Sequence, residues 1–414
     1  MDTNSQFSDL SIKLTNELNL SDKKKNGIYF TPYSIANSNL SSILQYIKTH
    51  KIQINTILEP SCGSMNFVDC IINHFKSSKI TGIELNKTIY DEISKSYNNN
   101  PNINIKNYDY LKYSTNIPYD LIIGNPPYFS IKKKECKKEC LEYITGRPNI
   151  FILFILHSLK YLSNGGILSF VLPNSFNNSS YYNGVRKLIY SKYNIIDIIN
   201  HKNEDSFKET KQKVTSLIIQ NKKPDNDNNI KYCATYDNIL LFNDIDTINR
   251  LQLLKNNSVT LKSLICSVNT GSTVWNQVKD KLTDDDTKTL LIYSGNIKNN
   301  AYKHIKFSNK SKKNYILLDG LTEPIIVVNR GYGNAKYKFQ YAMISFNTPF
   351  LVENHLICIR CIDPDKKTVE DKKKLLEKII TSFNNNNTSE FIDLYCENNA
   401  LSNNELLNII PIYI

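Results

Sequence analysis

Several things are missing from this sequence, and each absence removes a class of protein. No apolar run is long enough to span a bilayer. The longest, Phe151 to Leu162, carries His157 and Lys160 and falls short of the roughly 20 residues a membrane helix needs. Met1 to Leu20 is polar and has no apolar core of the kind a secretory leader carries. There is no disulfide framework either. The cysteines (Cys62, Cys70, Cys136, Cys140, Cys233, Cys266, Cys358, Cys361, Cys396) scatter through 414 residues, a pattern that fits a reducing compartment. The three-glycine dinucleotide fingerprint is absent, and no internal repeat is found. These gaps predict a soluble, intracellular chain without membrane contact: cytoplasmic, or in the nucleus or a viral factory if the source is eukaryotic or viral.

What is present is ordinary in bulk and unusual in charge. Hydrophobic residues make up 41% and charged residues 22%, enough for two domains. The formal charge is +12 and the pI about 9.0, a balance that suits a polyanionic partner. In the first half, β-branched runs (Ile54–Leu58, Ile80–Glu84, Ile103–Asn107, Leu121–Gly124, Ile167–Leu172) alternate with helical stretches (Met65–Phe75, Lys87–Tyr97, Asn149–Leu162). That rhythm predicts a parallel sheet covered by helices. Asn164-Gly165-Gly166 reads as a helix stop, and Ile195–Ile199 with Val214–Gln220 as a hairpin. The polar segment Asn221–Asn229, with Pro224, marks the expected boundary between domains 1–225 and 226–414. The second half mixes strands (Thr289–Tyr293, Ile325–Asn329, Leu356–Ile362) with loops and a helix over Val369–Phe383.

Asn125-Pro126-Pro127-Tyr128 follows the apolar run Leu121-Ile122-Ile123-Gly124, which places it at the carboxyl end of a strand, where open α/β sheets bind ligands. An aromatic amino nitrogen is a poor nucleophile because its lone pair is delocalised into the ring. Two acceptors aimed at its two hydrogens favour a more tetrahedral nitrogen. The Asn125 side-chain oxygen and the Pro126 carbonyl are candidates, with Pro126 and Pro127 holding the backbone rigid. Tyr128 offers a flat face on which a base stacks for roughly 1–3 kcal/mol. The plain alternative is a proline-stiffened turn with a buried tyrosine. Three acids sit at the ends of the preceding strands. Glu59 opens the small-residue turn Ser61-Cys62-Gly63, where a ligand can approach the backbone closely and a carboxylate suits a cation. Glu84 follows about 20 residues later, the spacing of a ribose-binding carboxylate. Asp109, in Tyr108-Asp109-Tyr110, is placed to accept from an adenine amino group. Taken singly, each is no more than a helix cap; their order on successive strands is what is specific.

With these residues in view, the chain resembles the gamma class of amino DNA methyltransferases, the TaqI-like adenine enzymes. Phe30-Thr31-Pro32 looks like their first cofactor motif, Glu59 to Gly63 like the cofactor loop, Glu84 like the ribose carboxylate and Asp109-Tyr110 like the adenine-binding pair. Leu162 to Pro173 looks like the strand after the catalytic motif. Asp205-Ser206-Phe207 looks like the motif whose aromatic ring packs on the flipped base opposite Tyr128. The match covers most of residues 26–220 and is much weaker beyond 230; Cys62-Gly63-Ser64-Met65-Asn66 departs from the family's loop. The resemblance implies an α/β fold: a Rossmann-like S-adenosylmethionine-dependent methyltransferase sheet followed by a mixed α/β target-recognition domain. It implies S-adenosylmethionine bound by Thr31, Glu59, Ser61, Cys62, Gly63, Glu84, Asp109, Tyr110 and Asn125, and catalysis by Asn125, Pro126, Pro127 and Tyr128 without metal. The partner implied is double-stranded DNA lying between the domains. The enzyme is expected to be a monomer and the modification part of a restriction–modification system, its endonuclease acting separately. Asparagine at position 125 favours adenine N6 over cytosine N4.

Further readings concern the DNA contacts. Lys132, Lys133 and Lys134, in the basic run Ile131–Cys140, would meet phosphates near the flipped base, or form a solvated charge run. Gly146-Arg147-Pro148-Asn149 turns the chain into the apolar helix, and Arg147 is expected to help position the basic loop. Ser294–Lys298 and Arg330–Asn334 have the flexibility and side chains of base-edge readers, and Lys303, Lys306, Lys310, Lys312 and Lys313 would touch phosphates. Leu401–Ile410 resembles the close of such recognition domains and suggests a complete chain. Cys358-Ile359-Arg360-Cys361 has zinc-like spacing but sits in an alternating strand, and Asp365 with Glu370-Asp371-Lys372 reads as a helix start rather than a nuclease cluster. The rivals are a methyltransferase acting on glutamine in a release factor or guanine in RNA, and a catalytically dead DNA-binding subunit.

Overall fold

The computed structural model describes residues 6–201, 213–224, 226–330, 337–396 and 401–414. It divides into two compact units, Met1–Ile248 and Asn249–Ile414.

The first unit begins with α1 (Asp9–Glu17), α2 (Leu20–Asn26) and α3 (Tyr33–His50). A β/α alternation follows: β1 (Thr56–Glu59), α4 (Asn66–Ile71), β2 (Lys79–Glu84), α5 (Lys87–Tyr97), β3 (Ile103–Asn107), β4 (Tyr119–Gly124), α6 (Ile150–Tyr161) and β5 (Leu162–Pro173). Then come α7 (Ser175–Asn178), α8 (Asn183–Lys192), β6 (Asn194–His201), β7 (Val214–Gln220) and the hairpin β8 (Cys233–Tyr236) and β9 (Ile239–Phe242). The sheet has seven strands in the order β3-β2-β1-β4-β5-β7-β6. Strands β1 to β5 are parallel, β7 runs antiparallel to β5, and β6 pairs antiparallel with β7. The expected parallel sheet and terminal hairpin are both present, with β7 inserted between β5 and β6.

Both faces of the sheet are covered, which is why its strands read as unbroken apolar runs. Ile57, Leu121, Ile123, Ile167 and Val171 pack with α3 and α4, while Leu58, Ile122, Leu168 and Phe170 pack with α6 and α8. Two local expectations change. The helix after β1 starts late, at Asn66, because Met65 holds the left-handed conformation (φ 64°). Asn164-Gly165-Gly166 is not a helix stop. The helix ends at Tyr161, and Gly165 (φ 77°) lies inside β5, where its amide donates to the Asn221 carbonyl and the Asn221 amide donates to Gly166.

The polar segment 221–229 lies within the first unit, short of the division at Ile248. The cause is β8 and β9, whose Cys233, Leu240 and Phe242 are buried in the α6/α8 core. Arg186 of α8, 0% exposed, fastens them: its guanidinium donates to the carbonyls of Leu240 and of Phe176 in α7. A lysine presents a point charge and cannot span both carbonyls with the same fork. Arg186→Lys is expected to lower stability by about 1–3 kcal/mol by leaving a buried carbonyl unpaired. Thermal melting checks this; an unchanged midpoint would show that other donors serve both carbonyls.

In the second unit, an antiparallel sheet joins Cys266–Thr270, Leu356–Cys361, Ile325–Asn329 and Tyr341–Ile344 in that order. A second four-stranded sheet pairs Thr289–Ile292 parallel to Phe350–Val352 and antiparallel to Tyr315–Ile316. The helix Val369–Phe383 buries Leu376, Ile379 and Phe383, and Thr368 caps it by accepting the Asp371 amide. Glu370-Asp371-Lys372 is therefore a capped helix start. Cys358 and Cys361 are buried in the antiparallel sheet, and no metal-binding cluster occurs among the described residues. No described helix is long and apolar enough to cross a membrane.

Candidate active site

The strand order puts the carboxyl ends of β3, β2, β1 and β4 in one row, and the loops leaving them enclose one cavity of about 340 Å³. Ser61 and Gly63 come from the loop after β1, Glu84 to Asn86 from β2, Tyr108 to Leu111 from β3, and Asn125 and Pro127 from β4. Of the residues expected at the cofactor, Ser61, Gly63, Glu84, Asp109, Tyr110 and Asn125 line this space. Thr31, Glu59 and Cys62 line an adjoining recess of about 20 Å³, which shares Ser61, Gly63 and Asn125 with the larger cavity.

Each acid is held by backbone amides. Glu84 accepts from Gly63 (2.9 Å) and Asn86 (2.8 Å), one amide on each oxygen, so each keeps a lone pair for a ligand hydroxyl. Burial raises its pKa, and the amides of Asn86, Gly63 and Leu85 pull it down. Glu59 is 2% exposed. Burial, and then the charges of Asp69 and Glu84, push its carboxyl well above the usual range, against one bond from the Val68 amide. Among the described residues no donor reaches its second oxygen. A buried carboxylate oxygen in want of a donor suits a cationic group. Asp109 accepts the Leu111 amide (3.0 Å) and lies 3.3 Å from the Lys112 ammonium.

The catalytic motif is tied on three sides. Ser61 Oγ donates to the Asn125 carbonyl (3.1 Å). Asn125 Nδ2 donates to Thr31 Oγ1 (3.0 Å). The Tyr128 hydroxyl lies within reach of two acceptors, Asn125 Oδ1 (2.5 Å) and the Val171 carbonyl (2.8 Å). Its ring meets Phe151 edge-on and is not among the groups lining the cavity. Pro126 is buried.

Other expected residues fall elsewhere. The Tyr110 phenol lies in the core, hydrogen-bonded to Ser158 (2.8 Å), which leaves its backbone to serve a ligand. Lys132, Lys133, Lys134 and Arg147 are exposed. Arg330 is exposed in the second unit. Phe207, with Asp205 and Ser206, and the Gly331–Asn334 part of the second loop lie outside the described residues. In the second unit, Asn296 does not point outward as a base reader would. It is 1% exposed and staples its own loop, accepting from the Tyr293 amide and donating to the Lys303 carbonyl. Lys312 is likewise engaged, its ammonium 4.9, 4.6 and 5.3 Å from the ring centres of Trp275, Tyr293 and Phe307 and 3.9 Å from buried Glu353. Lys313 pairs with Asp284.

Sequence reasoning missed the segment Asn26 to Tyr29, which forms one wall of the cavity. Gly27 (φ 63°) is required there: a Cβ would sit 2.9 Å from the Tyr128 amide nitrogen. Asn26-Gly27 is a turn signal that was legible. Also missed was a buried polar cluster behind the cofactor loop. Asn66, 3% exposed, donates to the Thr31 carbonyl (2.7 Å) and accepts from Ser8 (2.9 Å), Ser11 (3.2 Å) and Ser64 (3.1 Å).

The chain is similar to several known proteins. Residues 10–207 match the Eco57I restriction-modification methylase family. The type II methyltransferase M.CvrRI of Paramecium bursaria Chlorella virus XZ-6E is 26% identical over 98% of this chain and 99% of its own. The modification methylase CviBIII of Paramecium bursaria Chlorella virus NC1A is 27% identical over 99% of each. Among solved structures, the type IIG restriction endonuclease BpuSI aligns with a TM-score of 0.48 at 10% identity, over 97% of this chain and 60% of that one. The cofactor that the sequence motifs imply is S-adenosylmethionine. The amide-held Glu84 and the Glu59 oxygen without a donor fit its ribose and its cationic methionine end.

Proposed function

We propose, on the premise that residues 10–207 are a restriction-modification methylase segment of the Eco57I type, that the chain methylates the N6 amino group of a specific adenine in double-stranded DNA. The observation that carries this reading is Asn125-Pro126-Pro127-Tyr128 at the end of β4, with Asn125 on the wall shared by the cofactor cavity and its recess. Viral relatives of matching length, named as a type II methyltransferase and a modification methylase, support it.

S-adenosylmethionine supplies an electrophilic methyl group on a sulfonium. The chain's part is to bring a nitrogen lone pair to it. The adenine leaves the duplex at a cost of a few kcal/mol, which stacking and pocket contacts offset. Tyr128 and Phe207 stack on it. Asn125 Oδ1 and the Pro126 carbonyl accept its two amino hydrogens and hold the nitrogen towards the cofactor cavity. Rate enhancement then rests on positioning and fixed dipoles, with no covalent enzyme intermediate. Lys132, Lys133 and Lys134 contact phosphates beside the flipped base, the second domain with Arg330 reads the sequence, and a separate endonuclease cuts unmodified DNA.

The test is transfer of a tritiated methyl group from S-adenosylmethionine to duplex DNA, RNA and protein, followed by nucleoside analysis of the labelled DNA. Label in N6-methyladenine is expected. Label in N4-methylcytosine would keep the enzyme class and overturn the base; label in RNA or protein alone would overturn the substrate.

A further inference from the structure

We propose that Thr31 is a positioning residue that fixes which way round the Asn125 amide points, with Asn66 anchoring it from behind. The inference rests on the reading of Asn125 Oδ1 as an acceptor for the substrate amine. It gives Thr31 a task distinct from contact with the cofactor.

A primary amide presents an acceptor on one side and two donors on the other, in almost the same shape. Turned one way, Asn125 accepts from a base amino group; turned the other way, it opposes that group with its own N–H bonds. Its surroundings must therefore choose. Asn125 Nδ2 lies 3.0 Å from Thr31 Oγ1, and Oδ1 lies 2.5 Å from the Tyr128 hydroxyl. Tyr128 alone does not choose, because its hydroxyl also reaches the Val171 carbonyl at 2.8 Å. With its proton on Val171, the phenol oxygen becomes an acceptor and would hold a turned amide by its NH2 group. Thr31 Oγ1 gives the NH2 group a partner in the productive orientation, and turning the amide would require the Thr31 and Tyr128 hydroxyls to exchange donor and acceptor roles together.

The second acceptor of Tyr128 then has a use. When a base amine takes Oδ1, the tyrosine proton moves its hydrogen bond to Val171, and no buried group is left unpaired. The position of Thr31 is itself enforced. Its side chain is 6% exposed, and its carbonyl accepts from Nδ2 of buried Asn66 at 2.7 Å. The oxygen of Asn66 is in turn satisfied by Ser8 and Ser11, at the start of α1, and by Ser64 in the cofactor loop. A line of buried hydrogen bonds thus runs from the N-terminal helix to the amide.

Threonine and valine have nearly the same shape, so Thr31→Val removes the hydroxyl, acceptor and donor together, and little else. Wild type, Thr31→Val, Thr31→Ser, Tyr128→Phe and the double variant Thr31→Val/Tyr128→Phe are compared as full-length proteins. The readouts are kcat and KM on duplex DNA, and S-adenosylhomocysteine binding by calorimetry. Thr31→Val should lose about tenfold in kcat, the effect of one hydrogen bond, with KM and cofactor-product affinity within about threefold. Thr31→Ser should restore kcat to within about threefold of wild type. In the Tyr128→Phe background, where nothing holds the turned amide, Thr31→Val should cost less than about threefold. Thr31→Ala, with a melting curve for each variant, covers a folding defect in Thr31→Val and should show the same kcat loss. The proposal is overturned by wild-type kcat in Thr31→Val, by a loss confined to cofactor affinity, or by equal losses in both Tyr128 backgrounds. Wild-type DNA methylation is scored first: its absence would sink the substrate reading and this one with it, whereas an active wild type with an unaffected Thr31→Val sinks this one alone.

Discussion

Asn125→Ala is expected to lower kcat for DNA methylation by about 10³-fold, while affinity for S-adenosylhomocysteine stays within about threefold of wild type. The size follows from what the side chain supplies. On the proposed mechanism Oδ1 is one of two acceptors that localise the amine lone pair, and it acts in a partly buried site where a fixed dipole counts for more than in water. The residues proposed to contact the cofactor lie mainly elsewhere, on Glu84, Glu59 and the Gly63 loop, so its binding should survive. The alanine variant also frees the Tyr128 hydroxyl from Oδ1, but Val171 remains to accept it at 2.8 Å, so no buried donor is stranded and the fold should hold. Single-turnover methyl transfer, with calorimetric binding beside it, makes the comparison. Retention of more than about a tenth of the wild-type rate would remove the side chain from the chemistry.

Much of this site is legible in the sequence because it depends on strand ends. Glu59, Glu84, Asp109 and Asn125 each stand at or just after the carboxyl end of a strand, and a right-handed parallel sheet sends all such ends to one edge. The residue types at those ends, read in order, therefore anticipate the lining of one cavity and of the recess beside it. Contacts between distant segments do not appear in such a reading. That the Tyr128 hydroxyl would turn inward to Val171, or the Tyr110 phenol to Ser158, depends on the packing of β5 and α6. The polar stretch before Tyr232 looks like a linker because nothing local shows that Leu240 and Phe242 will return to the first core and be pinned by Arg186. Lysines mislead for the same reason. Lys312 reads as a phosphate contact until three aromatic rings from separate segments are seen around it.

Glu59→Gln should weaken binding of S-adenosylmethionine by on the order of 30-fold or more, since a buried charge pair that loses one partner costs about 2–5 kcal/mol. The pH dependence gives the sharper signature. In the empty site, burial and the Asp69 and Glu84 charges hold the Glu59 carboxyl well above the range of an exposed glutamate. Binding a cation favours the ionised form. Cofactor binding should therefore release a proton, and affinity should rise with pH until the pH passes the empty-site pKa, then level off. The calorimetric heat of binding near neutral pH should accordingly depend on the ionisation heat of the buffer in wild type. It should depend less in Glu59→Gln, where Glu84, also raised by burial, is left to contribute. Stability should move the other way. An unfolded glutamate ionises near pH 4.3, whereas the folded one keeps its proton to higher pH, so the cofactor-free protein loses stability as pH rises through that window. Glutamine has no charge to bury, so the cofactor-free variant should melt above wild type at pH 8 while binding worse. A variant that binds as tightly as wild type, or that melts below it at every pH, would show that this carboxyl serves the fold and not the ligand.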